Sequence, residues 1–479
     1  MALREATGGA VRLVTRRATH WLRPFASMAA PDDAARRQPL PVRRVAIQAT
    51  GMWLATRLLF ILITILAGAL GFTYAPTAVS IFPANPAFAR FVLPLLAGHP
   101  LLASWVHWDA SWYLLIGTQG YNTFTADSTG FFPMYPLQIH LLTLLFGAQA
   151  ALPAAMILSN GASLGAFIGL GLLAAHEASH EASHEASHEA SHEAPDTASG
   201  AIAAQRQDPH APTRLIMVVT AYPFAFFLAA PFTEGFFLAC VVFCFLCARR
   251  GEWRWAAVCA LLAALTRPTA FALVPALAWE YGRQHGVWRR AAWRDGAWRS
   301  SRWLGMLAGG LVVTLAAPLG LGCYLIYLEV AYGNALTPFT SQIIYHGHRN
   351  WPIWQTLGEL FRRFFSPPNT QTSALLMLYL DGGVLVLFLM LTLLNIRRLP
   401  PFYTLYLLAT LYLLLATPVP HRPELVPSAG RYLLMAVPVF LVVSQWLRRW
   451  RWLGPPMIVG GLLMQALFVL YFLGGGWVE

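Results

Sequence analysis

The chain contains no lysine. Its 33 basic residues are all arginine, set against only 21 acidic ones, for a formal net charge of +12. Charged residues make up 11% of 479 positions, where a soluble domain carries about 25%. That shortage excludes an ordinary soluble protein. The arginines cluster between apolar runs, as the positive-inside rule expects, so the net charge does not point to nucleic acid. Cysteine is scarce too. Cys240, Cys244, Cys247, Cys259 and Cys323 all sit inside apolar runs, read as small buried hydrophobes and suggest no disulfide framework. The first three share a helical face but lack the His or acidic partners of a metal site. No Asp-x-Asp triplet occurs; Asp127-Ser128-Thr129 is not one. A nucleotide-sugar enzyme with a metal-bound diphosphate is therefore not suggested.

What the chain does have is hydrocarbon-compatible length. It is 57% hydrophobic, and several runs approach or exceed the ~20 residues that cross a bilayer as a helix. A β-barrel would show short alternating segments instead. The expected fold is all-α, a polytopic integral membrane protein with about 11–13 transmembrane or re-entrant helices, judged on run length. Residues 1–44 read as a basic, disordered arm. The run Val45–Phe72 is too long for a signal h-region and reads as an uncleaved first span. It opens a unit over 45–175 whose outer loop covers 73–130, with short interfacial helices expected at Phe88–Leu96 and Ser111–Gly117. Residues 176–213 form a His-rich low-complexity loop. Residues 214–479 hold the remaining helices and outer loops. Arginines near 249–254, 283–302, 397–398 and 448–451 are assigned inside. The stretch 255–281 then goes in and comes back as two short helices broken at Thr266-Arg267-Pro268. One conflict stays open. Counting crossings puts the His-rich loop outside, whereas 214–230 should start inside. Either 131–175 is not two full crossings or one span is misplaced.

The His-rich loop repeats HEAS and sets His176, His180, His184, His188 and His192 on one helical stripe. Such spacing suits a divalent metal, but so regular a repeat fits an insertion in a tolerant loop better.

The chemistry concentrates in residues 107–136, a polar and aromatic stretch among apolar runs. A carboxylate beside a membrane is costly unless it faces water, a partner or a substrate, which makes Asp109 the candidate centre. The expected topology brings Glu234, Arg267, His346, His348, Arg349 and Arg431 to the same face. One acid with several Arg and His suits an anionic substrate at the bilayer surface, a lipid phosphate above all. Asp109 would be the general base. The others, with Trp108 against a sugar ring, would bind substrate. Plainer roles stand beside these. Asp109 could cap helix 111–117, Glu234 could pair with an arginine, Arg267 and Arg431 could snorkel at span ends, and Trp108 could anchor at the interface. The FFPMYP aromatics fit packing better than substrate stacking.

HWDASWYLLIGTQGY followed by FFPMYP resembles the first outer loop of the glycosylphosphatidylinositol mannosyltransferase II (PIG-V-like) family. AYPFAFFLAAPFTEGFFL, LTRPTAF and SAGRYLLMAVPVF resemble its later segments, in order, across about residues 50–445. Pro231-Phe232-Thr233 stands for the family's commoner P-Y-S, and Ala270 for its usual Gly. The arginine-only basic content suggests a bacterial chain, the resemblance implies a glycosyltransferase class C (GT-C) fold in the cell membrane, and the expected topology puts the active site on the outer face. The resemblance also implies transfer of a sugar, mannose being the expected one, from a polyprenyl-phosphate donor, with Asp109 matching the family's catalytic acid. No cofactor is implied, and a divalent metal is not required. The acceptor stays unassigned. A transporter or flippase of a lipid-linked sugar is the competing class; it predicts mid-span charges and inverted repeats. A non-catalytic scaffold leaves the polar set unexplained.

Overall fold

The computed structural model describes residues 39–73, 86–121, 128–190, 208–288 and 300–476. Most of the basic arm, the 191–207 linker, His192 and the arginines of 289–299 lie outside them. The described residues form only helices: α1 (Val42–Ala69), α2 (Pro86–Leu96), α3 (Pro100–Ala103), α4 (Asp109–Gln119), α5 (Met134–Phe146), α6 (Ala151–Ala190), α7 (Ala211–Thr220), α8 (Glu234–Arg250), α9 (Trp253–Thr266), α10 (Leu273–Gln284), α11 (Ser301–Tyr332), α12 (Thr337–Ile344), α13 (Ile353–Phe365), α14 (Thr372–Asn395), α15 (Pro401–Ala416), α16 (Ala429–Leu433), α17 (Val437–Arg449) and α18 (Gly454–Leu473). Five stretches, Val42–Ala69, Ala148–Ser183, Trp303–Tyr332, Thr372–Asn395 and Arg451–Leu473, are long and apolar enough to cross a membrane. On α1 the outward residues Leu54, Leu58, Ile61 and Leu62 are about half exposed. An apolar surface of that kind is matched by lipid rather than water. This is the architecture of a polytopic membrane protein.

The remaining apolar runs are shorter than the sequence suggests, because proline and glycine break them. The run 214–230 is α7 followed by a 3-10 turn, Pro223–Leu228. The run 430–447 is α16 and α17. The break at Arg267 lies where the sequence predicts it. Arg267 is extended (φ −155°, ψ 143°), and Pro268 opens a 3-10 turn before α10.

Two polar layers mark the bundle's ends. At one end Arg249, closing α8, donates to Glu177 of α6 (2.8 and 3.0 Å) and to Glu280 of α10 (3.2 Å), while Tyr403 of α15 donates to Glu177 (2.9 Å). Asp208 accepts from Arg214 and lies 3.8 Å from Arg448 at the end of α17. At the other end Ser159 of α6 donates to the Phe232 carbonyl, next to Glu234. Ser159 and Glu177 are separated by about 27 Å of helix at 1.5 Å per residue, close to a hydrocarbon thickness. So α8 descends from Glu234 to Arg249, α9 climbs back to Arg267, and α10 descends again.

The same bonds bear on the open conflict. Tyr135, at the start of α5, donates to the Ala155 carbonyl (2.8 Å). Since α5 joins α6 through a few residues, it must run antiparallel along the first turns of α6. Only α6 crosses. The first HEAS unit therefore lies at the arginine-rich end, with the start of α1; Gly171 packs against Val45 and Ile216.

The sequence places residues 176–213 in a loop, but α6 continues through Ala190. Ala and Glu favour helix, and Glu177 is locked by Arg249 and Tyr403. The short helix expected at Ser111–Gly117 is part of α4, whose residues Ala110–Gly117 are buried within the protein.

Glu177→Ala removes one of the two carboxylates that hold Arg249, leaving Glu280, and should cost ~3 kcal/mol, the scale for breaking a buried pair. Deleting residues 184–187, one later repeat, should leave thermal unfolding in detergent unchanged. Equal loss from both changes would contradict the anchoring role of Glu177.

Candidate functional site

Asp109 opens α4, in the first turn, where the helix dipole favours an anion. The residue before it, Trp108, takes φ 44°, ψ −114°, a left-handed backbone that side chains other than Gly seldom adopt. Trp108 packs on Phe472 and His107, with ring centroids 5.3 and 5.4 Å away. The carboxylate turns inward, and its Oδ2 accepts from Arg431 Nη2 at 2.8 Å. Among the described residues nothing bonds Oδ1.

Arg431 sits in α16 and is fully buried. Its Nε donates to Glu234, at the start of α8, and Arg267 Nη2 donates to the same carboxylate oxygen. Arg267 Nε also donates to Thr233 (2.8 Å). Two acids and two arginines thus form one chain: Asp109, Arg431, Glu234, Arg267. Burial opposes the charge on Arg431, yet Glu234 and Asp109 outweigh it and hold its pKa above the ordinary value. The Arg431 guanidinium lies 4.7 Å from the Phe232 ring and 5.1 Å from that of Phe227, and Arg267 lies 5.1 Å from Tyr432. These are desolvated cation–π distances. Tyr113, one turn along α4, is buried, and burial together with Asp109 pushes its hydroxyl pKa up, so it stays neutral.

Local packing sets these positions. Gly235 lets α8 press on α6; a side chain there would stand 2.6 Å from the Ser159 carbonyl. Gly430 sits against Phe224, where a Cβ would come within 2.3 Å, and its N–H donates to Asp381 of α14 (2.8 Å) while its carbonyl accepts from Tyr222 (2.6 Å). Those bonds fix the backbone beside Arg431.

His346 is brought near Asp109. Its ring meets Phe131 at 5.9 Å, and Phe131 stacks on Trp112 at 5.4 Å. Burial pushes the His346 pKa down, with Asp109 opposing and His348 and Arg422 reinforcing. His348 Nδ1–H donates to the Thr417 carbonyl at 2.8 Å, and burial pushes its pKa down, with that hydrogen bond opposing and Arg422 and His421 adding. Arg349 is exposed, and its backbone N–H donates to the Pro418 carbonyl (2.9 Å). So Asp109, Glu234, Arg267 and Arg431 form the core, His346 borders it, and His348 and Arg349 line the adjoining loop. Trp108 is occupied by packing, as are Phe131 and Phe132. The chemistry of the core donors is that of an ion network, and among the described residues no group of three or more His, Cys, Asp or Glu is placed to hold a metal.

Sequence reasoning missed three residues that the structure ties to this end. Asp381 lies fully buried in an apolar helix. Thr233 braces Arg267. Arg57 lies inside α1 and donates to Asn160 (2.7 Å), Ser163 (2.5 Å) and the Leu228 carbonyl (3.0 Å). Asp381 and Arg57 were both detectable, since an ionisable residue within an apolar run signals an internal partner.

Glu234→Gln leaves two buried guanidiniums sharing one weaker acceptor. It should lose about 3–5 kcal/mol of stability, more than Asp109→Asn, as read by thermal unfolding in detergent. A second prediction concerns His107, which burial holds at about 4. Its folded form binds fewer protons than the unfolded one, so its contribution is complete above the unfolded pKa. Stability then falls by about 1.4 kcal/mol per pH unit between pH ~6.5 and ~4. His107→Phe should flatten that slope; an unchanged slope would assign it to other groups.

Compared with known proteins, the chain matches no protein-family model, no curated protein and no solved structure.

Proposed function

We propose that this chain is a membrane glycosyltransferase of the class C type. It takes a sugar, mannose in the expected case, from a polyprenyl-phosphate donor and passes it to an acceptor at the outer face of the cell membrane. The observation that carries this reading is the asymmetry of the two carboxylates. Glu234 is completely buried, whereas the Asp109 side chain is 25% exposed, so only Asp109 is in reach of a substrate. Its place at the end of the bundle opposite the arginine-rich layer supports an outer-face site.

In this reading Asp109 Oδ1 takes the proton from the acceptor hydroxyl. The acceptor oxygen attacks the anomeric carbon from the side opposite the phosphate, the bond from that carbon to the phosphate oxygen breaks, and the configuration inverts. Arg431 orients Asp109 through its hydrogen bond to Oδ2 while Glu234 holds Arg431. Arg267 and Arg431 are then braces for carboxylates. Contact with the leaving phosphate falls to His346, His348 and Arg349, the last an always-charged donor. A leaving group that is a single phosphate held this way does not require a metal.

The test is transfer of radiolabel from polyprenyl-phosphate mannose in membranes carrying the wild type or Asp109→Asn, followed by separation of lipid, protein and glycan fractions. Label should enter one fraction with the wild type and fall at least ~100-fold in the variant, the scale of a lost general base. Full activity of Asp109→Asn would remove the mechanism. No transfer from mannose, glucose or arabinose donors, with the protein intact, would turn the reading to transport.

A further inference from the structure

Residues 333–371 join the end of α11 to the start of α14, both long enough to span a membrane. A segment tethered at both ends by spans lies at a membrane surface. Within it α13 is strongly two-sided. Thr356, Leu360 and Arg363 face the protein and are buried. Trp354, Phe361 and Phe365 fall on one outer stripe at i, i+7 and i+11 and are 74%, 67% and 75% exposed. Gln355 and Arg362 form a polar edge beside it, Arg362 paired with Glu359 at 2.6 Å. On α12 Ile343 and Ile344 are also exposed. Large aromatics uncovered beside a charged edge match the boundary between headgroups and acyl chains.

The protein-facing side of this unit touches the two loops that frame Asp109. Arg363 donates to the carbonyls of Pro420 (2.9 Å), Arg422 and Pro423 (3.2 Å), in the loop that leads to Arg431. The backbone N–H groups of Arg349 and Trp351 donate to Pro418 and Ala416 (2.9 and 3.0 Å). Ser341 and His346 pack on Gly130, next to the Phe131 that stacks on Trp112.

We infer that α12 and α13 form a shelf that docks on the phospholipid surface. The stripe Trp354, Phe361 and Phe365 sits among the upper acyl chains, with Arg362 at headgroup level. The lipid contact holds the 418–428 loop, and with it Arg431, against Asp109. The occupant is lipid because the adjoining ends of the two flanking spans also expose large apolar side chains, Tyr327 and Val330 of α11 and Leu376 and Tyr379 of α14. The inference does not depend on which reaction Asp109 performs.

The test uses the full chain with the exposed Cys323 replaced by Ser, in phosphatidylcholine–phosphatidylglycerol liposomes. Spin labels are placed singly at Phe361→Cys, Phe365→Cys and Gln355→Cys. Labels at 361 and 365 should be accessible to oxygen and shielded from a water-soluble nickel chelate, with the reverse at 355. Chelate access at 361 and 365 would overturn the proposal, as would dipolar broadening from a second copy covering the stripe. A second measurement reads the coupling. The distance distribution between labels at Gln119→Cys and His421→Cys should broaden when Phe361→Glu and Phe365→Glu are added. An unchanged distribution would separate the shelf from the site.

Discussion

A single carboxylate, Glu234, holds the Asp109 end of this molecule together. It is completely enclosed and takes hydrogen bonds from Arg267 and Arg431 on one oxygen. Removing three charges from water costs several kcal/mol per ion. The arrangement is stable only as a set, because each charge is neutralised by one brought from a distant part of the chain. Four segments far apart in sequence, the starts of α4 and α8, the α9–α10 break and α16, are pinned to one point by it. Aromatic rings of Phe227, Phe232 and Tyr432 fill the remaining faces of the guanidiniums and exclude water. This supports precise placement of Asp109, the member of the set left open to solvent.

The opposite end repeats the device. Arg249 lies between Glu177 and Glu280, with Arg283 also donating to Glu280 at 2.9 Å. Between the two layers the interior is mostly hydrocarbon. Arg57 is a buried charge within the span α1. It meets neutral acceptors, and among the described residues no carboxylate lies within ion-pair distance. Its guanidinium sits 5.2 Å from the Trp53 ring, and its bonds to α6 and to the turn before α8 tie α1 to the backbone that presents Glu234.

Much of the architecture was legible because hydrocarbon-length apolar runs have few alternative fates. The all-helical character, the long spans and the break at Arg267-Pro268 follow from run length and from proline. The gathering of Asp109, Glu234, Arg267 and Arg431 was legible from the cost of charge beside lipid. What was not legible was which charge meets which. Arg267 and Arg431 read as phosphate clamps in the sequence, yet both are engaged by Glu234, and Arg431 also by Asp109. Local sequence carries no information about partners 33 and 197 positions away. The HEAS repeat misled in a different way, since its regularity concealed that Glu177, in its first unit, is held by Arg249 and Tyr403.

By itself the sequence determined the solvent of this protein and the kinds of group at its polar end, because hydrophobic length and the scarcity of charge act locally and additively. Only the tertiary structure decided the pairing of those groups, the doubling back of α5 and the exposure of Asp109 over Glu234. Those depend on how deep each side chain lies and on what lies across from it, and burial depth is a property of the packed helices rather than of any segment alone.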